Sequence, residues 1–236
     1  MASPRDRTAA RSAQGTIEQS VTRRHKRAAA EAAAELVLPG SRVGLGTGST
    51  VAHLLPALAA RGLEGLRCAA TSPATARAAQ ALGLEIVELD ELGSLDIAID
   101  GADQIDPRGW LIKGGGAAHT REKIVAAAAA RFVVIASTEK VVAALTPPVP
   151  VEILQFAPHT TLAAIDPARL RKVSLSPDGN LIADYLGAID DPARLAARLS
   201  ATPGVVEHGL FAPSLVSDIL IAGDGGIEHR RGEKRP

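Results

Sequence analysis

The 236-residue sequence holds one cysteine, Cys68, one tryptophan, one tyrosine and three phenylalanines. A lone thiol cannot close an internal disulfide, and no second thiol or histidine cluster accompanies it at a metal-ligand spacing. A disulfide scaffold and a zinc fold are both excluded. Cys68 lies in the apolar run 66–70 and reads as a small buried hydrophobe of a reducing, cytoplasmic compartment. With aromatics at 2%, the core has to be assembled from Ala, Val, Leu and Ile. No apolar stretch reaches the length of a membrane span, and the N-terminus lacks the apolar centre of a secretory signal. No membrane partner is expected.

Net charge is missing as well, since 26 basic residues balance 26 acidic ones. The balance hides a segregation. Residues 1–27 carry Arg5, Arg7, Arg11, Arg23, Arg24, Lys26 and Arg27 against Asp6 and Glu18, so 19 basic and 24 acidic residues are left for the remainder. A mildly acidic body argues against a nucleic-acid surface, and any phosphate site must be local, made by a few placed donors. The basic segment 1–22 reads as a disordered leader, and 227–236 as a flexible tail.

No repeat is present at 20–50 residues. From residue 24 helical and strand patterns alternate: helices over 24–37, 51–60, 73–82 and 120–130, and strands over 42–45, 66–70, 85–89, 96–99 and 132–136. That alternation predicts an α/β fold with a Rossmann-like, mostly parallel sheet and helices on both faces. After Pro147-Pro148-Val149-Pro150 the order changes to strand 151–154, helix 158–165, strands 171–175 and 181–184, helix 192–199 and strand 205–207. This is the split βαβ, ferredoxin-like order of a smaller α+β module. The apolar run 218–222 returns to the first sheet. The expected domains are therefore 23–146 with 209–226, and an inserted module over 147–208.

Three motifs carry chemistry. Gly44-Leu45-Gly46-Thr47-Gly48-Ser49-Thr50 sits between a strand and a helix, where backbone amides, a helix N-terminus and hydroxyls favour an anion. A dinucleotide fingerprint would place glycine at Ser49 and an acid at the end of the next strand, which instead reads Ala69-Ala70-Thr71-Ser72. A nucleoside-triphosphate loop would need a lysine that is absent. The strand 96–99 then delivers Asp100-Gly101-Ala102-Asp103 to the ligand-binding edge of the sheet; a solvated, helix-capping turn is the plainer alternative. Finally, Lys113-Gly114-Gly115-Gly116 is followed by Glu122 at the opening of a helix. An ammonium steadies a developing enediolate oxygen, and a carboxylate carries a proton between neighbouring carbons. Together these are the parts for aldose–ketose isomerisation without a metal.

In these motifs, together with Thr120-Arg121-Glu122-Lys123, Val149-Pro150-Val151-Glu152, Asp178-Gly179-Asn180 and residues 203–211, the sequence resembles type A ribose-5-phosphate isomerases from about Lys26 to Ala222. The resemblance implies interconversion of ribose 5-phosphate and ribulose 5-phosphate through a cis-enediol, in the non-oxidative pentose phosphate pathway. It implies Glu122 as the base, Asp100 assisting ring opening, Lys113 steadying the charged oxygen and Asp103 orienting it. By the same resemblance Thr47, Gly48, Ser49, Thr50, Lys26 and Lys140 hold or line the phosphate pocket, with Gly101, Ala102, Gly114, Gly115 and Gly116 around the sugar. A homodimer or dimer of dimers, and no cofactor, are implied too. Gln104 and His119 depart from the usual Glu and Leu, and His119 reads as an adventitious loop histidine. Trp110 reads as packing or a pocket wall. Two other readings are a non-catalytic sugar-phosphate sensor, which would need a helix-turn-helix that residues 1–22 are too short to supply, and a relative with another chemistry. That relative would be an amino-sugar-phosphate isomerase or a coenzyme A transferase.

Overall fold

The structure, a computed structural model, describes residues 4–234, with side chains from residue 18. Helix α1 (Pro4–Ala34) leads to β1 (Arg42–Leu45), α2 (Val51–Ala60), β2 (Arg67–Ala70), α3 (Pro73–Ala81), β3 (Glu85–Ile86) and the single turn α4 (Leu89–Leu92). Then come β4 (Leu95–Gly101), the short strands β5 (Gln104–Ile105) and β6 (Leu111–Ile112), α5 (His119–Ala128) and β7 (Ala129–Ser137). The second unit holds β8 (Val149–Ile153), α6 (Pro158–Ala164), β9 (Ala168–Leu170), β10 (Leu181–Tyr185), α7 (Pro192–Ser200) and β11 (Val205–His208). The chain ends through β12 (Leu210–Phe211), β13 (Asp218–Gly223) and β14 (Gly226–Arg231).

The main sheet has the order β14-β13-β7-β4-β1-β2-β3, all parallel except β14. Its central strands are buried on both sides, which is why they read as unbroken apolar runs instead of alternating ones. Ile97, Ile99, Val133 and Ile135 face α1 and α2, where Ala29, Ala30, Ala33, Leu54 and Leu58 are fully or nearly fully buried. Ala98, Phe132, Val134 and Ala136 face the opposite layer with Val125 and Ala126 of α5. Strand order reverses direction between β1 and β4, so the crevice beyond their C-terminal ends is the switch point where ligands bind in such sheets.

The module is the expected ferredoxin-like unit, an antiparallel sheet of order β11-β8-β10-β9 backed by α6 and α7 around its own core. Both sheets use helices with strong start signals. Ser72 caps α3 by accepting from the Thr75 amide and Asp191 caps α7 by accepting from Ala193 and Arg194, each followed by proline.

Several expectations on boundaries are corrected. Residues 4–22 do not form a disordered leader: they belong to α1, which starts with proline at its first position and is rich in Ala and Arg. Residues 1–3 lie outside the described residues. Residues 227–231 are not a flexible tail but most of β14, which pairs with β13 through the Asp224-Gly225 turn. Residues 235–236 lie outside the described residues. The strand expected over 171–175 is instead β9, three residues earlier and paired with Ala183–Tyr185, because Arg171 is used elsewhere. Only Glu85–Ile86 of the expected strand 85–89 is extended. A third, three-stranded sheet, β12-β6-β5, escaped the sequence reading because two-residue strands leave no periodicity.

Candidate active site

The turn after β1 is held by chemistry visible only in three dimensions. Asp100 Oδ1 accepts from the amides of Thr47 (3.2 Å) and Gly101 (2.7 Å), drawing the ends of β1 and β4 together. A Cβ on Gly46 would overlap the Asp100 carboxyl, so this position has to be glycine. Thr47 shares hydrogen bonds with Thr71 (2.8 Å) and Thr75 (3.3 Å), and Thr75 donates to Gly46 O. No side chain caps the N-terminus of α2, leaving its positive end directed at the exposed Gly48 and Ser49. From α1, Lys26 Nζ reaches Ser49 Oγ at 3.0 Å. Amides, hydroxyls and an ammonium converge here in an arrangement that can cradle an anion.

Across the crevice, β6 leads directly into Lys113, whose backbone amide is fixed by Gly209 O (2.8 Å). Its Nζ donates to Gly101 O (2.6 Å) and lies 2.9 Å from Asp100 Oδ2 and 3.1 Å from Glu122 Oε2. All three side chains are almost fully buried. Both carboxylate oxygens make Coulomb contact with Nζ yet lack an aligned hydrogen bond, so each keeps acceptor capacity. The Asp103 carboxylate accepts from Gly115 N at 2.8 Å and thereby folds the glycine loop over the site.

Two acids and one ammonium in a dry place cannot all keep ordinary proton affinities. Burial and the neighbouring Asp100 push Glu122 up to about 8, against the pull of Lys113. Burial likewise raises Asp100, although Lys113 and two amides oppose it. Burial disfavours the Lys113 charge, but Asp100 and Glu122 outweigh it and hold the proton on. The centre therefore has a permanent cation beside a carboxyl that gives and takes a proton near neutrality.

The structure brings together almost every residue expected at the site. Thr47, Gly48, Ser49 and Thr50 line one wall of a single pocket; Gly101, Ala102 and Asp103 form its floor. Lys113, Gly114, Gly115, Gly116 and Glu122 close the other wall, with Lys140 at the rim. Asp100 lies beneath, and Lys26 reaches the pocket through Ser49. His119 is corrected: it is no adventitious loop residue but the fully buried first residue of α5. Its Nε2 lies 3.4 Å from Glu207 O, its Nδ1 has no partner, and burial lowers it to about 3, so it is neutral. Gln104 is also explained. Its amide donates to Thr146 O (2.9 Å) and accepts from Thr146 N (2.8 Å), two roles a carboxylate cannot combine. Trp110 is half-buried and packs against the core of the module. Sequence reasoning missed Thr71 and Thr75 under the cradle and Phe211, whose ring centroid is 5.4 Å from Lys113 Nζ and 4.9 Å from Lys123 Nζ.

A doubly wound sheet whose switch point holds an anion cradle next to a near-neutral carboxyl defines an enzyme that moves protons on a small anionic substrate. The profile of the family described as ribose 5-phosphate isomerase A (phosphoriboisomerase A) matches residues 67–226. Ribose-5-phosphate isomerase A of Caulobacter vibrioides is 46% identical over 217 residues, 86% of this chain and 95% of that protein. The Haloarcula marismortui protein of the same name is 43% identical over 87% and 94% of the two chains. Among solved structures, ribose 5-phosphate isomerase A of Methanocaldococcus jannaschii superposes with a TM-score of 0.83 at 34% identity, covering 87% of this chain and 97% of that one. The Neisseria gonorrhoeae structure gives 0.84 at 33% identity, over 89% and 97%. The chain belongs to the ribose 5-phosphate isomerase A family and is an isomerase.

Proposed function

We propose that this chain interconverts ribose 5-phosphate and ribulose 5-phosphate by proton transfer between C1 and C2 through a cis-enediolate. The substrate phosphate rests on the amides and hydroxyls from Thr47 to Thr50, with Lys26 and Lys140 supplying charge. Asp100 exchanges a proton with the ring oxygen and opens the sugar. The Glu122 carboxylate takes the proton from C2 and returns it to C1, while Asp100 passes the O2 hydroxyl proton to O1, so that the carbonyl moves from C1 to C2. As negative charge grows on the oxygen, Lys113 and the amides of the glycine loop meet it without having to reorganise. Asp103 keeps that loop in place.

The observation that carries this reading is the Lys113 ammonium held 2.9 Å from Asp100 and 3.1 Å from Glu122 beside the anion cradle. A fold neighbour described as a D-ribose-5-phosphate isomerase in complex with phospho-erythronic acid, 31% identical, is in keeping with a phosphorylated acyclic ligand. Among the described residues no group of His, Cys, Asp and Glu is arranged to hold a metal ion, and the reading uses none. Purified protein incubated with ribose 5-phosphate and a chelator is expected to form the ketose. Loss of activity on chelation, restored by one metal, would overturn the metal-free route.

The proposal extends to a cytoplasmic homodimer or dimer of dimers. Leu154 and Phe156, the latter 87% exposed, offer apolar surface on the module for such contacts. Sedimentation velocity decides it, and a monomer at micromolar concentration rejects it.

A further inference from the structure

The module contributes no side chain to the pocket walls, yet it grips both segments that carry Lys113 and Glu122. Arg171, just after β9, is bound to Asp184 through Nε (3.1 and 3.2 Å) and Nη2 (2.5 Å). Its remaining nitrogen, Nη1, donates to Gly114 O at 2.9 Å. Gly114 follows Lys113 directly, and its φ of +102° gives the loop its sharp turn against His119 and Pro150. One guanidinium thus ties the glycine loop to the β10 strand.

The second grip acts on the helix that carries Glu122. Glu152 of β8 is completely buried. One of its oxygens accepts from Thr120 Oγ1, and the other accepts from Ser176 Oγ (2.6 Å) and Asn180 Nδ2 (2.8 Å). The next residue of α5, Arg121, donates to Asp178 through Nε (2.9 Å) and Nη2 (2.7 Å). The residue after that is Glu122. A buried carboxylate with every donor supplied by hydroxyl and amide groups is costly to assemble unless its geometry is used. Here it fixes the first turn of α5, where a side-chain cap is lacking.

We propose that Arg171 and Glu152 are positioning residues for the isomerisation: together they hold the Lys113 loop and the Glu122 helix at a fixed separation across the site. The inserted module is then the second half of the catalytic frame. This rests on the roles of Lys113 and Glu122 given above. Catalytic groups displaced by about 1 Å lose up to about 100-fold in rate, and a partly released loop loses less.

The test is Arg171→Lys, which keeps the charge for Asp184 but cannot also reach Gly114 O, since an ammonium lacks the planar fork. Expected are a fall in kcat of about 10-fold, a KM within about 2-fold because the phosphate cradle is untouched, and faster amide hydrogen exchange over residues 113–116. Thr120→Val, close in shape and lacking the donor, is the second variant. It is expected to speed exchange over 119–122 and lower kcat by a few-fold, and it decides the matter if Arg171→Lys does not fold. Wild-type kcat in the folded variants, or wild-type exchange in both, overturns the proposal. Glu122→Gln run alongside separates the two readings: retained turnover there removes Glu122 as base, while the Arg171→Lys and Thr120→Val results still judge the clamp.

Discussion

Replacing Glu122 with Gln deletes one titration from the buried centre while leaving its shape almost unchanged. In the folded chain Glu122 holds its proton up to about 8, whereas an exposed glutamate releases it near 4.5. The folded state therefore binds the proton more tightly than the unfolded one. The stability this contributes is complete below about 4.5 and is lost as pH rises towards 8. At 1.36 kcal/mol per pH unit the interval gives about 5 kcal/mol as a ceiling, which relaxation and water entry reduce. Gln resembles the protonated acid and has no such loss. Glu122→Gln is thus expected to match wild type in thermal stability near pH 5 and to exceed it progressively towards pH 8.5. At about 2–4 °C per kcal/mol for a chain of this size, a gain of several degrees is expected at the alkaline end. Turnover should fall by about 10²–10⁴, the usual contribution of a positioned base. Melting curves every half pH unit and initial rates with ribose 5-phosphate make the comparison. A Tm difference that is flat between pH 5 and 8.5 refutes the raised proton affinity, and near-normal turnover refutes the role as base. The same raised affinity places the acid limb of wild-type kcat/KM well above the ordinary carboxylate range.

Lys113→Met strands two buried acids without their cation: a stability loss of about 3–5 kcal/mol and a kcat loss of about 10²–10³ are expected. Urea melts and steady-state rates check both, and a fully active variant rejects the lysine as the oxyanion partner. His119→Leu removes a buried imidazole whose Nδ1 has no partner. Because burial lowers His119 from 6.5 to about 3, folding loses stability as pH falls below 6.5; the leucine variant should be more stable by about 1–3 kcal/mol, increasingly so at pH 5. A variant less stable than wild type at that pH contradicts the assignment. Gly46→Ala drives a methyl group into Asp100 and should lower kcat and KM-derived affinity together, since the cradle and the acid share that contact. Unchanged kinetics would show that the turn yields freely.

The sheet and its site were legible because each signal was local. Phe132-Val133-Val134-Ile135 marks a strand buried on both faces, and the glycine and acid motifs fall where strands give way to loops. The module followed from the order of its elements, and α7 of the module, like α3 of the main domain, from proline placed directly after a capping residue, Asp191 or Ser72. What stayed hidden depends on partners distant in sequence. Phe211 is 98 positions from Lys113, and its two-residue strand has no period to read. Arg171 looked like the start of a strand because nothing in its neighbourhood shows that Gly114 will accept from it. β14 was read as a tail because Glu228, Arg230 and Arg231 are polar, as an edge strand permits. His119 reads in the sequence as an adventitious loop histidine because its burial is set by the distant Glu207 and by the glycine loop.

The alanines along α1 carry a further meaning. Ala29, Ala30 and Ala33 are completely buried against the sheet, and one turn before them Lys26 extends to Ser49. Their small size brings the helix axis near enough to β7 and β13 for that ammonium to arrive. An added methyl group at any of the three would lift the helix and withdraw the charge, so drift in hydrophobic volume far from the sugar would be read out as weaker capture of phosphate. With Lys26 in its proposed phosphate role, substrate affinity is partly stored as thickness between two layers.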